Sequence, residues 1–220
     1  MRVILVHGFN SSPEENFHPW LSRELRDAGF DVITPTLHLS VKDEVNLQEV
    51  IEDMKRQVGL LRGGDIVLGH SLGALLILQY LEAVEMKETP RAIILVAAPW
   101  KVSKPELRRL FIADLDAEVL MWKAHDFYVV HSKDDTLVPL EHGRRLAKAL
   151  KATLIETSSD QHFMDAEYPV LLELITKIKN SPLEYAPGLS LEDDYATLDM
   201  SERLKKQQQE EDQKNVEDLI

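Results

Sequence analysis

A short apolar run, Asp65-Ile66-Val67-Leu68, passes directly into Gly69-His70-Ser71-Leu72-Gly73. That in turn passes into Ala74-Leu75-Leu76-Ile77-Leu78-Gln79-Tyr80-Leu81, a run of good helix formers without a breaker. A chain that goes from buried strand to helix through one serine has few ways to fold. The turn is so tight that Ser71 must take a strained backbone, and its neighbours tolerate almost no side chain, which glycines at 69 and 73 permit. A serine between glycines is common in ordinary loops. The two flanks are what make this pentapeptide a candidate nucleophile turn.

The rest of the chain repeats the strand–helix alternation. Val3–Val6, Asp31–Thr34, Ala92–Ala97, Phe127–Val130 and Thr153–Glu156 are short β-rich runs, and the run before Ser71 makes six. Between them lie helical patterns. Trp20, Leu21, Leu25 and Ala28 recur at helical spacing before a stop at Gly29, and Val50, Ile51, Met54 and Val58 share one face of a helix over about 47–61. Further helices are expected over about 140–150 and 166–179, the second with Val170, Leu171, Leu174, Ile175 and Ile178 as its stripe. The mixed segment from Pro99 to His125 reads as a short cap between the fourth and fifth strands. The expected fold class is α/β, an open, mostly parallel six-stranded sheet with right-handed crossovers, spanning about residues 1–180. In such sheets the working loops gather beyond the carboxyl ends of the strands. His7-Gly8, Ser71, Asp135 and His162 all lie just after strand candidates.

Serine is a poor nucleophile unless an aligned base takes its proton and a carboxylate orients that base. On this architecture the chain order is serine, acid, histidine. His131-Ser132-Lys133-Asp134-Asp135-Thr136-Leu137-Val138-Pro139 directly follows a strand and offers two acids, Asp134 and Asp135. Among the eight histidines, only His162 follows the acids and sits at a strand end. His18 and His38 come early, His125 and His131 precede the acids, and His142 lies in a helix. His7 and His70 read as structural or site-shaping. The oxyanion formed during acyl transfer needs preorganised donors, and the amide of Leu72 at the start of the helix is the first.

Composition excludes other classes. At 220 residues the chain can bury one full core, and its 44% hydrophobic and 29% charged fractions are those of a globular protein. A net charge of −13 gives no electrostatic footprint for nucleic acid. With no cysteine there is no disulfide and no thiolate chemistry. The histidines lack metal-ligand spacing, and neither a Walker loop nor G-x-G-x-x-G occurs, so no metal and no cofactor is expected. The first apolar run stops at His7-Gly8, short of a signal-peptide core, and no segment reaches the roughly 18 apolar residues of a membrane span. A soluble, cytoplasmic protein is expected. From Pro187 to Ile220, ten acids face four bases. This acidic tail (taken as 181–220) reads as a solvated or disordered segment, or as a docking segment for a protein partner built on Leu191, Tyr195 and Leu198.

With these residues placed, the chain resembles the small α/β-hydrolases of the YdeN and retinoblastoma-binding-protein type. The resemblance rests on His7-Gly8-Phe9-Asn10-Ser11-Ser12, His18-Pro19-Trp20-Leu21, Gly69-His70-Ser71-Leu72-Gly73, Ser132-Lys133-Asp134-Asp135 with Val138-Pro139, and His162-Phe163. It implies an α/β-hydrolase fold and a compact serine hydrolase with a minimal lid. It also selects Asp135 over Asp134, because the family's acid stands four residues before the proline of an Asp-x-x-Val-Pro pattern. The residue after His-Gly, Phe9, becomes the second oxyanion donor, with Asn10 as its neighbour. The expected catalytic set is therefore Ser71, Asp135 and His162, acting on a small ester, thioester or amide. His7, Asn10, His70, Trp100 and Trp122 are candidate pocket residues, the two tryptophans otherwise packing under the cap. A protein-interaction module retaining the hydrolase scaffold is the competing expectation.

Overall fold

A computed structural model describes residues 1–182 apart from 41, 43, 103, 112 and 113. The expectations for Leu191, Tyr195, Leu198 and the acidic tail beyond Pro182 fall outside these residues. Six strands form one sheet: β1 (Arg2–Val6), β2 (Asp31–Ile33), β3 (Ile66–His70), β4 (Ala92–Val96), β5 (Asp126–Ser132) and β6 (Thr153–Thr157). Their order is β2-β1-β3-β4-β5-β6, and every neighbouring pair is parallel. The chain steps outward from β1 to β2, then returns to the other side of β1 as β3. That reversal opens a crevice beyond the ends of β1 and β3, where ligands bind in open parallel sheets.

The helices are α1 (His18–Asp27), α2 (Leu47–Val58), α3 (Leu72–Ala83), α4 (Ala117–Leu120), α5 (Leu140–Ala149) and α6 (Pro169–Asn180). Alternate side chains of the central strands feed two cores. Val3, Leu5, Ile66, Leu68, Ile94 and Val96 pack with α1 and α6 on one face. Ile4, Val6, Val67, Ile93 and Leu95 pack with α2, α3 and α5 on the other. Burial on both faces explains why these strands read as unbroken apolar runs. For the same reason α3 shows no polar face: everything from Gly73 to Leu81 is buried.

Helix α1 differs from its expected face. His18, Leu21, Ser22 and Leu25 are buried, whereas Trp20 is only half-buried and Ala28 is exposed. The stripe begins two residues earlier, at His18, and includes Ser22, two residues that a hydrophobicity pattern does not count. Between β4 and β5 the chain makes a 3-10 turn at Pro105–Leu107 and then the short α4. Leu107, Leu110, Phe111, Leu120 and Ala124 bury themselves in the α3-side core. The cap is therefore anchored, and only its first part faces the crevice. At the opposite end of the sheet, buried Arg2 donates to both oxygens of Asp65 and to the carbonyls of Val58 and Leu60. No described helix is long and apolar enough to cross a membrane.

Candidate active site

Ser71 leaves β3 with φ +53° and ψ −124°, a conformation unfavourable for any residue with a side chain. Its amide continues the sheet ladder by donating to Val96 O at 2.8 Å. Helix α3 starts at the next residue, so the turn has no slack. A Cβ on Gly69 would sit 2.6 Å from Ala74 Cα, and one on Gly73 would sit 2.1 Å from His7 O. The glycines are required by the approach of α3 to its own strand and to the end of β1.

The loops after β5 and β6 meet Ser71 from the other side. His162 Nε2 lies 2.9 Å from Ser71 Oγ, and His162 Nδ1 lies 2.8 Å from Asp135 Oδ2. With the Nδ1 proton donated to the carboxylate, Nε2 accepts from the serine hydroxyl. Asp135 is buried, and its other oxygen accepts from the amides of Leu137 and Val138, each at 2.9 Å. Burial works against its charge, but the His162 and amide hydrogen bonds outweigh it and hold the carboxyl below its ordinary range. Asp134 takes a different place. It is exposed, accepts from the Ser132 hydroxyl, and accepts from Gln161 N at 3.0 Å, which laces the β5 loop to the β6 loop.

His162 sits between two non-glycine residues in left-handed conformations, Gln161 at φ +45° and Phe163 at φ +57°. Each such residue costs roughly 1–2 kcal/mol, and persists only where its surroundings enforce it. Phe163 is fully buried against Tyr168, with its amide on Asp160 O at 2.9 Å.

A cleft of about 830 Å³ opens over Ser71 and His162. Phe9, Leu72, Pro99, Val102 and Leu107 give it apolar walls, and Lys101, Lys104, Glu15 and Glu106 stand among them. Leu137 and Met164, 69% and 55% exposed, form its rim beside Asp135 and His162. The amides of Phe9 and Leu72 have no hydrogen-bond partner among the described residues. Asn10 borders the cleft with φ +51°, its amide on Leu39 O at 3.0 Å.

Three candidate pocket residues are corrected. His7 is buried below the cleft, where Nδ1–H donates to Gly8 O and Nε2 accepts from Leu37 N at 3.1 Å. It is a strut between two loops, and burial lowers its pKa so that it stays neutral. Trp100 is turned away from the cleft that its neighbours Pro99 and Lys101 line. Its ring lies under the Arg145 guanidinium, 4.7 Å from the centroid, and its amide donates to His142 Nδ1. Trp122 is 68% exposed, because burying Leu120 and Ala124 on the α3 side turns the residue between them outward. It neither lines the cleft nor packs under the cap. His70 does border the cleft, but its ring is buried.

Sequence reasoning passed over His131, because it precedes the acids. It lies fully buried behind Asp135, donating Nε2–H to Val138 O at 2.7 Å. The available signal was Gly143, an otherwise unhelpful glycine inside α5. A Cβ there would be 2.6 Å from His131 Nδ1. The cleft walls at Val102, Leu107, Leu137 and Met164 had no local signal.

A parallel α/β sheet that joins a strained strand-to-helix serine, a histidine and a carboxylate at its carboxyl edge defines the serine hydrolase class of site. The family model for serine hydrolases matches residues 3–171, and the chain belongs to that family. It is 27% identical over 182 residues to YdeN of Bacillus subtilis (strain 168), covering 80% of this chain and 94% of YdeN. The crystal structure of the B. subtilis ydeN gene product superposes with a TM-score of 0.74 at 24% identity, over 82% of this chain and 99% of that one. Mouse alpha/beta hydrolase domain-containing protein 10 shares the fold at a TM-score of 0.58 and 15% identity, over 81% and 89%. The fold is the α/β-hydrolase fold.

Proposed function

We propose that this chain is a carboxylesterase-like serine hydrolase that cleaves a small acyl ester through an acyl-enzyme on Ser71. The single observation that carries this reading is the unbroken series Ser71–His162–Asp135, with contacts of 2.9 and 2.8 Å. Ser71 Oγ attacks the carbonyl carbon while its proton passes to His162 Nε2. The imidazolium is held by Asp135. The oxyanion is stabilised by the amides of Leu72 and Phe9, which border the cleft with Ser71 and are unpaired among the described residues. Each such donor contributes on the order of 3 kcal/mol to the transition state. Collapse breaks the ester C–O bond, and His162 returns the proton to the departing alkoxide. Water then repeats the sequence and releases the acid. The apolar cleft walls suit the acyl part. An ester is a more economical substrate than an amide, which requires closer registration of the proton with a poorer leaving group. A thioester follows the same steps.

Fluorophosphonate labelling read by intact mass tests this. One adduct is expected on the wild-type protein and none on Ser71→Ala, with hydrolysis of a short-chain nitrophenyl ester falling by on the order of 10⁶-fold in the variant. Absence of a wild-type adduct, or equal labelling of the variant, would overturn the proposal.

A further inference from the structure

Among the described residues two hydrogen bonds link the loops of Ser71 and His162, and their side-chain contact is the first. The second runs through the backbone. His70, the residue before Ser71, points its Nε2 at the carbonyl oxygen of His162 at 2.8 Å. Its ring is 2% exposed and wedged among other rings, edge-on to Phe17 at 5.5 Å and tilted against His162 at 5.2 Å. A wedged ring has little rotational freedom, so the donor direction is set by the core. On the other side of the bond, His162 is bracketed by left-handed Gln161 and Phe163. The Gln161 amide is held by Asp134, and the Phe163 amide by Asp160, both on the acid and base loops themselves. Among the described residues, the backbone of this loop is tied to the strand that carries the serine at the His162 carbonyl.

We propose that His70 is a positioning residue for His162. Its Nε2–H clasps the His162 carbonyl and maintains the strained loop that aims the imidazole at Ser71 Oγ. This goes beyond the hydrolytic reading, since it concerns how the base is held. Burial, opposed only in part by the hydrogen bond to the His162 carbonyl, lowers the His70 pKa to about 3. The ring is thus neutral through the working pH range, with its proton on Nε2 and the clasp closed.

The test compares His70→Gln, whose amide nitrogen reaches nearly as far as Nε2, with His70→Met, of similar volume and no donor. His70→Asn, whose amide is too short to reach, is a second donor-loss variant should Met fail to fold. For Met and Asn, kcat on a short-chain ester is expected to fall about 10- to 100-fold with KM within about twofold, following the loss typical of a misplaced catalytic group. Fluorophosphonate labelling should slow in proportion, and amide hydrogen exchange at Gln161 and Phe163 should accelerate. Gln should recover most of each. Exchange is read without turnover, so it decides the clasp even if the hydrolytic reading fails. Equal kcat and equal exchange at Gln161 and Phe163 across folded variants overturns the clasp. So does a loss that simply follows Tm, with no recovery in Gln.

Discussion

Two adjacent carboxylates, Asp134 and Asp135, show how much one residue of register decides. Both stand beyond the end of β5, which closes at Ser132, in the turn that leads to α5, and within one residue that turn carries the chain from solvent to the buried side. Asp135 turns inward to His162 and two amides, while Asp134 turns outward to bind Gln161 N. Removing the first leaves the imidazole in the wrong tautomer; removing the second loosens a loop. Steady-state kinetics on a short-chain ester should show kcat/KM falling roughly 10³- to 10⁴-fold for Asp135→Asn, on the scale known for triad aspartates. Asp134→Ala should lose only about 10-fold, consistent with a misplacement effect. Equal losses would reverse the assignment. In the sequence, the two acids are separable only through the resemblance, by the Asp-x-x-Val-Pro pattern that ends at Pro139. His131 was out of reach, because its place behind Asp135 depends on α5 packing across β5.

Among the elements, the strand–turn–helix around Ser71 is the least tolerant. Gly73→Ala would drive a Cβ into the His7 carbonyl at 2.1 Å, a backbone group that cannot rotate away. A loss of about 3 kcal/mol or more is expected, of the size of severe overpacking. Gly64→Ala, with open space around its site, should stay within about 0.5 kcal/mol. Urea unfolding of the two variants makes the comparison, and similar midpoints would count against a close-packed elbow. At the far end of the same strand, Asp65→Ala should cost about 3–5 kcal/mol, since it leaves the Arg2 guanidinium buried beside unmatched groups. Thermal melts at neutral pH would show it. Elements buried on both faces, such as β3 and α3, were legible as continuous apolar runs. Helix α1 was legible in place but not in face, because its inner stripe includes His18 and Ser22.

For the molecule as a whole, the buried histidines make stability depend on pH. Burial lowers His18 to about 4 and His70 to about 3, against about 6.5 in an unfolded chain. Between those values the unfolded chain takes up protons that the folded chain refuses, so stability rises with pH there. Their contribution is complete above about pH 6.5 and is lost as pH falls towards 4 and then 3. Each histidine adds up to about 1.4 kcal/mol per pH unit within its window. Asp135, whose pKa is also depressed, acts in the same direction at lower pH. Denaturant midpoints between pH 7 and 4.5 should therefore fall steeply, and the slope should be shallower in His70→Gln. A flat profile would contradict the burial of these rings.

Local pattern and chain order suffice for the α/β alternation, the tight turn at Ser71, and the expectation that His162, among eight histidines, ends a strand on the side of the sheet that carries Ser71. These depend on periodicity, glycine sterics and the side of the sheet on which a strand ends, all of which are written along the chain. The folded chain alone decides which surfaces face one another. It turns Trp122 to solvent, lays Trp100 under Arg145, makes His7 a strut, and sets His70 against the His162 carbonyl. Each of those outcomes joins residues on separate elements, and their meeting is set by how two cores pack on one sheet.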